Sequence, residues 1–329
     1  MLPKRDAQMK PSIPRLTISI CTFDRYDVLP KAIESAARQS IEPSMYRIMV
    51  VDNSPDHARA RVVGKRFASI ANLTYLVEET PGLSNARNVS AAQCGTEFIA
   101  FMDDDAIASS TWVEKILEAF DSFGDSAAIV GGRVDPIWGA PRPPWVHDAM
   151  LGSLSVVNWG GATRAADPGE WFAGTNISFR TQTILDHGGF ATNLGRIGSG
   201  HSLLSNEEVH LIERIRAAGD KLIYAPDAYV NHLVEPKRLT REWFRKRAAW
   251  QAVSDFMMDP KRHSGDVSGY WKDTIKYFNA LPPHERTIRG FVWETDDPGM
   301  FRWQTSAIYM MTIMSLAGFE GGANELPAP

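Results

Sequence analysis

Short apolar runs alternate along the chain with longer segments whose apolar residues recur at helical spacing. Leu16-Thr17-Ile18-Ser19-Ile20-Cys21 carries apolar side chains at every second position, the period of a strand. A loop, Thr22 to Arg25, follows, and from Tyr26 to Gln39 the spacing of Val28/Leu29, Ile33 and Ala36/Ala37 predicts a helix. The cycle repeats with a strand at Ile48–Val51, a helix to about Ser69 and a strand at Leu73–Val77. Pro81-Gly82 breaks the chain, and a helix starts within Ser84-Asn85-Ala86-Arg87-Asn88. Phe98-Ile99-Ala100-Phe101-Met102 then reads as a strand buried on both faces, ending in Asp103-Asp104-Asp105. Strands alternating with helices predict crossover connections, a parallel sheet and an open α/β fold. In such a sheet ligands sit outside the carboxyl ends of the strands, where Asp24, Asp52 and the Asp triplet would converge.

The pattern continues with a helix over Trp112 to Phe123, whose stripe of Trp112/Val113, Ile116/Leu117 and Phe120 is core packing, and a strand at Ile129–Val134. Pro136, Pro141, Pro143 and Pro144, with Trp138 and Trp145, predict an irregular segment to about Glu170, the kind of long loop that usually binds or covers a ligand. Extended structure returns at Trp171–Arg180. A glycine- and serine-rich loop, Gly198 to Ser205, leads to Asn206-Glu207-Glu208 and an amphipathic helix through Val209, Leu211, Ile212 and Ile215. Two short strands, Leu222–Tyr224 and Ala228–Val230, end at Asn231-His232. Trp243/Phe244, Ala248, Val253 and Phe256/Met257 predict a further amphipathic helix, and Trp271, Trp293 and Trp303 predict aromatic contacts beyond it.

Composition narrows the choice of partner. With 44% hydrophobic and 22% charged residues, 329 residues can bury a substantial core, and a net charge of −4 argues against a general nucleic-acid binder. Locally the sign reverses: six bases (Lys237, Arg238, Arg241, Arg245, Lys246, Arg247) stand against Glu242, either as a solvated helix face or as a contact to a diphosphate or a membrane surface. Cys21 and Cys94 form no disulfide pattern and are expected as reduced thiols. Met1 to Arg15 has no apolar stretch and reads as an arm rather than a signal peptide, and the run Trp303 to Phe319 is too short and too polar to span a bilayer. The expectation is a cytoplasmic protein, with peripheral contact at the inner face of a membrane as a hypothesis.

Clustered carboxylates repel unless a counter-charge is present, and a hard divalent cation is one such charge. Along an extended chain Asp103 and Asp105 would face one way and Asp104 the other, giving a two-carboxylate grip that leaves room for substrate phosphate on the ion. The ordinary alternative is an acidic turn after a strand. Taken singly, the other signals are equally ordinary. Glu207 and Glu208 complement a helix dipole, His232 ends a strand, and Gly174 beside Asn176 is either a bulge glycine or a place where a bound ring lies close to backbone.

Together these residues fall in a familiar order. From Leu16 to about Gln251 the chain resembles family 2 inverting glycosyltransferases of the GT-A fold. Thr22-Phe23-Asp24-Arg25 and Val51-Asp52-Asn53-Ser54 are similar to that family's nucleotide loops, and Gly82-Leu83-Ser84-Asn85-Ala86-Arg87-Asn88 to its glycine-to-Ala-Arg-Asn segment. Asp103-Asp104-Asp105 looks like the Asp-x-Asp metal motif, and Glu207-Glu208 with Leu211 and Arg214 like Glu-Asp-x-x-Leu-x-x-Arg. In that signature the second acid is usually the base; the departure here is Glu for Asp, which leaves Glu207 and Glu208 both open as the base.

The resemblance implies a GT-A, Rossmann-like sheet with a nucleotide-sugar half at 16–135, an acceptor half at 136–251, a helical extension at 252–329 and an arm at 1–15. It implies nucleotide-sugar contacts at Thr22, Phe23, Asp24, Arg25, Asp52, Asn53, Arg87, Asp103 and Asp104. Mg²⁺ or Mn²⁺ would be held by Asp105, Asp103 and His232, with Trp171, Gly174, Asn176 and Arg238 on the acceptor or diphosphate side. The implied reaction moves a sugar from a nucleoside-diphosphate donor, UDP-linked by expectation, to a hydroxyl of a glycan or lipid-linked glycan, with a homo-oligomer left open. Competing readings fit less well. A P-loop ATPase needs Gly-x-x-x-x-Gly-Lys, which Gly64-Lys65-Arg66 does not supply, and a sugar nucleotidyltransferase needs glycines that the Thr22 to Arg25 loop lacks. A non-catalytic glycan- or sugar-nucleotide-binding module would tolerate loss of Glu208.

Overall fold

The computed structural model describes residues 13–198, 202–263, 272, 275–276, 278–287 and 292–321. Strands β1 (Leu16–Thr22), β2 (Tyr46–Asp52), β3 (Leu73–Val77) and β4 (Phe98–Asp103) pair in parallel in the order β3-β2-β1-β4. Helices α1 (Leu29–Ala37), α2 (His57–Lys65) and α3 (Leu83–Gln93) make the crossovers. Strand order reverses beside β1, so the crevice at the carboxyl ends of β1 and β4 is the topological switch point. Register sets what lines it: Thr22 lies opposite Asp52, and Cys21 opposite Asp103.

Alternate residues of β4 enter opposite cores. Phe98, Ala100 and Met102 pack with Ile18, Ile33 and the apolar stripe of α4 (Trp112–Phe123), while Ile99 and Phe101 pack with Ala86, Leu211 and Ile212 on the other face. Each large apolar side chain so buried contributes roughly 1.5–3 kcal/mol. The strand that delivers the acids is therefore clamped from both sides.

Several elements differ from the sequence pattern. Helix α1 starts at Leu29 rather than Tyr26, because Pro30 sits in its first turn and the Tyr26 hydroxyl is engaged with Asp52. Beyond β4 the sheet is no longer parallel: β5 (Ala106–Ala108), β6 (Ala127–Trp138), β7 (Arg164–Ala165), β8 (Ile177–Arg180) and β9 (Lys221–Val234) complete a mixed sheet, with β8 antiparallel between β4 and β6. The two short strands expected around Pro226 are one strand, β9, because the register slips between Gly132 and Val134 of β6 and absorbs the irregularity. That slip needs glycine, since a Cβ on Gly132 would lie 1.7 Å from the Ala228 carbonyl oxygen. The segment expected to be irregular contains the end of β6, a 3₁₀ turn at Asp148–Leu154 and β7.

Helix α5 (Thr181–Asp186) follows β8, and α6 (Glu207–Ala217) precedes β9. Helix α7 (Arg241–Met258) packs against the C-terminal helix Pro298–Gly321, and residue 251, the expected edge of the acceptor half, lies inside α7. Part of the basic run has internal partners. Arg241 pairs with Asp296, Arg245 donates to the carbonyls of Val292 and Trp293, and Lys237 pairs with Glu235. Trp303 is buried beside Leu281 and Ala307, whereas Trp293 is exposed and Trp271 lies outside the described residues, as does most of the N-terminal arm. Among the described residues no helix is long and apolar enough to cross a membrane.

Candidate active site

The acids gather at the switch point as the strand ends place them. Asp103 is the last residue of β4, and the chain turns immediately after it, so the strict alternation expected for the triplet stops there. Asp104 is buried and accepts from the Thr22 hydroxyl at 2.7 Å. Arg25 reaches both neighbours, donating to Asp104 Oδ1 at 3.1 Å and to Asp105 Oδ2 at 2.8 Å. Strand β5 pairs antiparallel with β9, which sets Ala106 opposite His232 and brings the imidazole to Asp105. His232 Nε2 lies 3.3 Å from Asp105 Oδ1.

Ligand atoms of Asp103, Asp105 and His232 all lie within 4.8 Å of one another. Asp105 Oδ1 is buried without a hydrogen-bond partner, and so is His232 Nδ1. Two carboxylates, an imidazole and an orphaned buried oxygen between them fit a hard divalent ion such as Mg²⁺ or Mn²⁺. Burial disfavours the Asp105 anion, but His232 and Arg25 outweigh it and hold the carboxyl well below the usual range. Asp104 is shifted the other way, upward, by burial that Arg25 does not fully offset.

A second cluster abuts the first. Arg87, on α3, is buried under the rings of Phe101 and Phe190. It donates to Glu207 Oε1 at 2.7 Å and lies 3.5 Å from Asp103 Oδ1, tying the start of α6 to the end of β4. Glu207 is thereby a paired, buried carboxylate. Glu208 has no ion-pair partner of its own among the described residues, and its Oε2 is buried with no hydrogen-bond partner. Burial, and next the charge of Glu207, push the Glu208 carboxyl up to about 8, with Arg87 opposing. The two adjacent acids are thus chemically distinct.

Residues 17–181 match Glycosyl transferase family 2. The chain belongs to glycosyltransferase family 2. It is 29% identical over 267 residues to the glucosyl-dolichyl phosphate glucuronosyltransferase of Haloferax volcanii, covering 79% of this chain and 83% of that one. It is 27% identical over 233 residues to the succinoglycan biosynthesis protein ExoM of Rhizobium meliloti, covering 70% and 71%. The fold is shared with the mannosyltransferase PcManGT from Pyrobaculum calidifontis, solved with GDP-Man and Mn²⁺, at a TM-score of 0.52 and 17% identity over 98% of this chain and 81% of that one. It is shared also with S. aureus TarS 1-349 bound to UDP, at 0.52 and 16% identity over 94% and 92%.

Other residues of this glycosyltransferase are engaged with protein atoms. Asp52 is fully enclosed, and its carboxylate accepts from the hydroxyls of Tyr26 and Tyr75 and from the amide and hydroxyl of Ser54. Asn53 donates to the Gly82 carbonyl, Asp24 sits at φ 54 and pairs with Arg59, and Phe23 is half-buried beside them. The Asn176 amide is used up inside the fold: Oδ1 accepts from Trp112 Nε1 and Nδ2 donates to the carbonyls of Arg133 and Ala228. Trp171 packs edge-on against Trp159. Sequence reasoning missed Tyr26, Tyr75 and Ser54, whose partner Asp52 was visible but whose own hydroxyls carry no pattern. It also missed Arg196, and Arg247 stood out only as one of a basic run; both come near the acids only in three dimensions.

Gly174 has a specific neighbour. A Cβ there would lie 2.3 Å from Arg87 Nη2, so the glycine leaves room for a protein guanidinium. Gly174→Ala is expected to push Arg87 off Glu207 and Asp103 and to cost roughly 1–3 kcal/mol, as overpacking does. A lowered thermal midpoint together with weakened nucleotide binding is the expected pair of readings; an unchanged midpoint would show that Arg87 has slack.

Proposed function

We propose that this glycosyltransferase is metal-dependent and inverting, moving a sugar from a nucleoside-diphosphate sugar, UDP-linked in our reading, to a hydroxyl of a glycan or lipid-linked glycan. The observation that carries the proposal is the pairing of two unlike features in one crevice: the Asp103–Asp105–His232 group and the unpartnered Glu208 carboxylate. Relatives named for a dolichyl-phosphate-linked sugar and for succinoglycan support the acceptor class.

The donor base would meet the loops after β1 and β2, at Thr22 to Arg25 and at Asn53, with Asp52 as the anchor of that wall because its oxygens are already occupied. Asp103, Asp105 and His232 would hold Mg²⁺ or Mn²⁺. Such an ion supplies Lewis-acid stabilisation of the negative charge on a departing diphosphate. Arg25, now spanning Asp104 and Asp105, adds a positive charge to the same edge. From the opposite side of the sugar, the acceptor oxygen bonds to the anomeric carbon while the bond to the diphosphate breaks, and the electron pair leaves with the nucleotide. Glu208 takes the acceptor proton. Arg87 and Glu207 act as positioning residues, fixing the first turn of α6 against β4.

A base must be ionised to work, so an upward-shifted Glu208 makes turnover rise with pH, with a midpoint near 8. The test is nucleotide release from UDP-glucose, UDP-glucuronic acid, GDP-mannose and dTDP-glucose, with Mn²⁺ or EDTA, between pH 6 and 9. Metal-dependent turnover of one donor, rising through pH 8, is expected. Donor turnover that is indifferent to EDTA, or flat across this range, would reject the assignment.

A further inference from the structure

Three arginines near the acids are not used by the proposed chemistry. Arg196 follows Gly195, whose α-carbon packs against the Glu207 carboxylate: a Cβ there would lie 3.1 Å from Glu207 Oε2. The Arg196 side chain is exposed and has no partner among the described residues. Arg247, on α7, donates to Ser205 and to Gln251 Oε1, and Gln251 in turn donates to Asn206, the residue that caps α6 just before Glu207. Its Nη1 is buried with no acceptor. Arg238 stacks over Trp243, and its Nε is likewise buried with no acceptor.

Arg238 and Arg247 thus each bury a guanidinium donor with no acceptor, and the Arg196 guanidinium is unpaired at the surface. Burying such donors unpaired is costly, and grouping like charges adds to the cost. The charges are close enough to act on one another: burial first, and then Arg196, lower both Arg238 and Arg247 below the usual arginine range. Asp103 and Asp105 already engage Arg87 and Arg25, Glu207 engages Arg87, and burial favours the neutral form of the remaining acid, Glu208, so the site's carboxylates leave these charges uncompensated. An external anion is the missing partner.

We propose that Arg196, Arg238 and Arg247 form a second anion site that takes a phosphate group of the acceptor. This deepens the proposed function and rests on it, since it places the acceptor on the α6 side of the sugar. Arg247 and Arg196 set it apart from the donor diphosphate, while Arg238 lies between the two sites, near enough to Asp103 and Asp105 to feel their charge. Arg247 is tied to the residues leading into α6, next to Glu208, whereas the group that would bind the donor's ion lies at the end of β4. Planar guanidinium groups suit phosphate oxygens in pairs, and their fork geometry prefers phosphate to a neutral sugar.

Glucose 1-phosphate and methyl α-glucoside, differing in charge, are the probes. Each is titrated calorimetrically into the wild-type protein, alone and saturated with UDP and Mn²⁺, and into Arg196→Gln and Arg247→Gln. Arg196→Gln removes an exposed, unpartnered side chain, so it keeps the test sound if Arg247→Gln fails to fold. The expected result is that glucose 1-phosphate binds with and without UDP, that methyl α-glucoside does not, and that each variant weakens binding about tenfold or more while leaving UDP affinity unchanged. Competition between glucose 1-phosphate and UDP would overturn the proposal, assigning the arginines to the donor diphosphate. Undiminished binding in Arg196→Gln, equal binding of methyl α-glucoside, or no binding of glucose 1-phosphate at millimolar concentration would overturn it as well. Failure of UDP alone to bind, with glucose 1-phosphate still bound in an arginine-dependent way, would instead sink the donor assignment and leave the anion site standing.

Discussion

Glu208→Gln is expected to yield a folded protein that still binds nucleotide but transfers sugar about 10²–10⁴-fold more slowly. The amide keeps the shape of the side chain and removes its ability to take a proton. Among the described residues no hydrogen bond reaches Glu208 Oε2, and burial beside Glu207 already favours the neutral form of the carboxyl. Glu207→Gln should behave differently, because Glu207 is the buried partner of Arg87 at 2.7 Å. Its loss should appear first in stability and only then in rate. Steady-state transfer, read beside thermal unfolding of both variants, separates the two roles. A Glu208→Gln enzyme with normal turnover, next to an inactive but stable Glu207→Gln, would reverse the assignment.

Arg87→Met is the substitution with the largest expected effect on stability. It replaces a buried guanidinium by an apolar chain of similar length and strands Glu207 and Asp103. Removing one partner of a buried ion pair typically costs roughly 3–5 kcal/mol, most of it the penalty of the charge left behind. Methionine would still fill the space between Phe101 and Phe190, so the loss is electrostatic in origin. Adding Glu207→Gln should therefore recover part of it, since an amide tolerates burial better than an anion. Denaturant unfolding of the single and double variants measures this coupling. Additive losses would mean that Arg87 and Glu207 contribute independently.

Much of the scaffold was legible because its strands are short, apolar and closed by turn residues. β3 and α4 were bounded to the residue, and the convergence of β1, β2 and β4 on one edge followed from their alternation with helices. How the strands beyond β4 join the sheet was not. Whether β8 runs parallel or antiparallel is decided by long-range pairing that leaves no trace in a run such as Ile177–Arg180. Pro226 hid the continuity of β9, because the compensating slip is in Gly132 of another strand. In the site, residue types at a strand end pointed to Asp103 and Asp105, and the family resemblance to His232. The difference between Glu207 and Glu208 could not be read from adjacent identical letters; it depends on Arg87, 120 positions away from Glu207. Gly174 and Asn176 carried the right composition for a ligand surface, yet one makes room for Arg87 and the other stitches β6 and β9 to Trp112.

The central claim is that Asp103, Asp105 and His232 together hold the ion that nucleotide binding requires. Calorimetric titration of UDP, GDP and dTDP into the wild type and Asp105→Asn, each with Mn²⁺ and with EDTA, tests it most directly. Binding of one nucleotide that needs Mn²⁺ in the wild type and is lost in Asp105→Asn is the predicted result. Nucleotide binding of equal strength in EDTA, or retained with Mn²⁺ in Asp105→Asn, would contradict it.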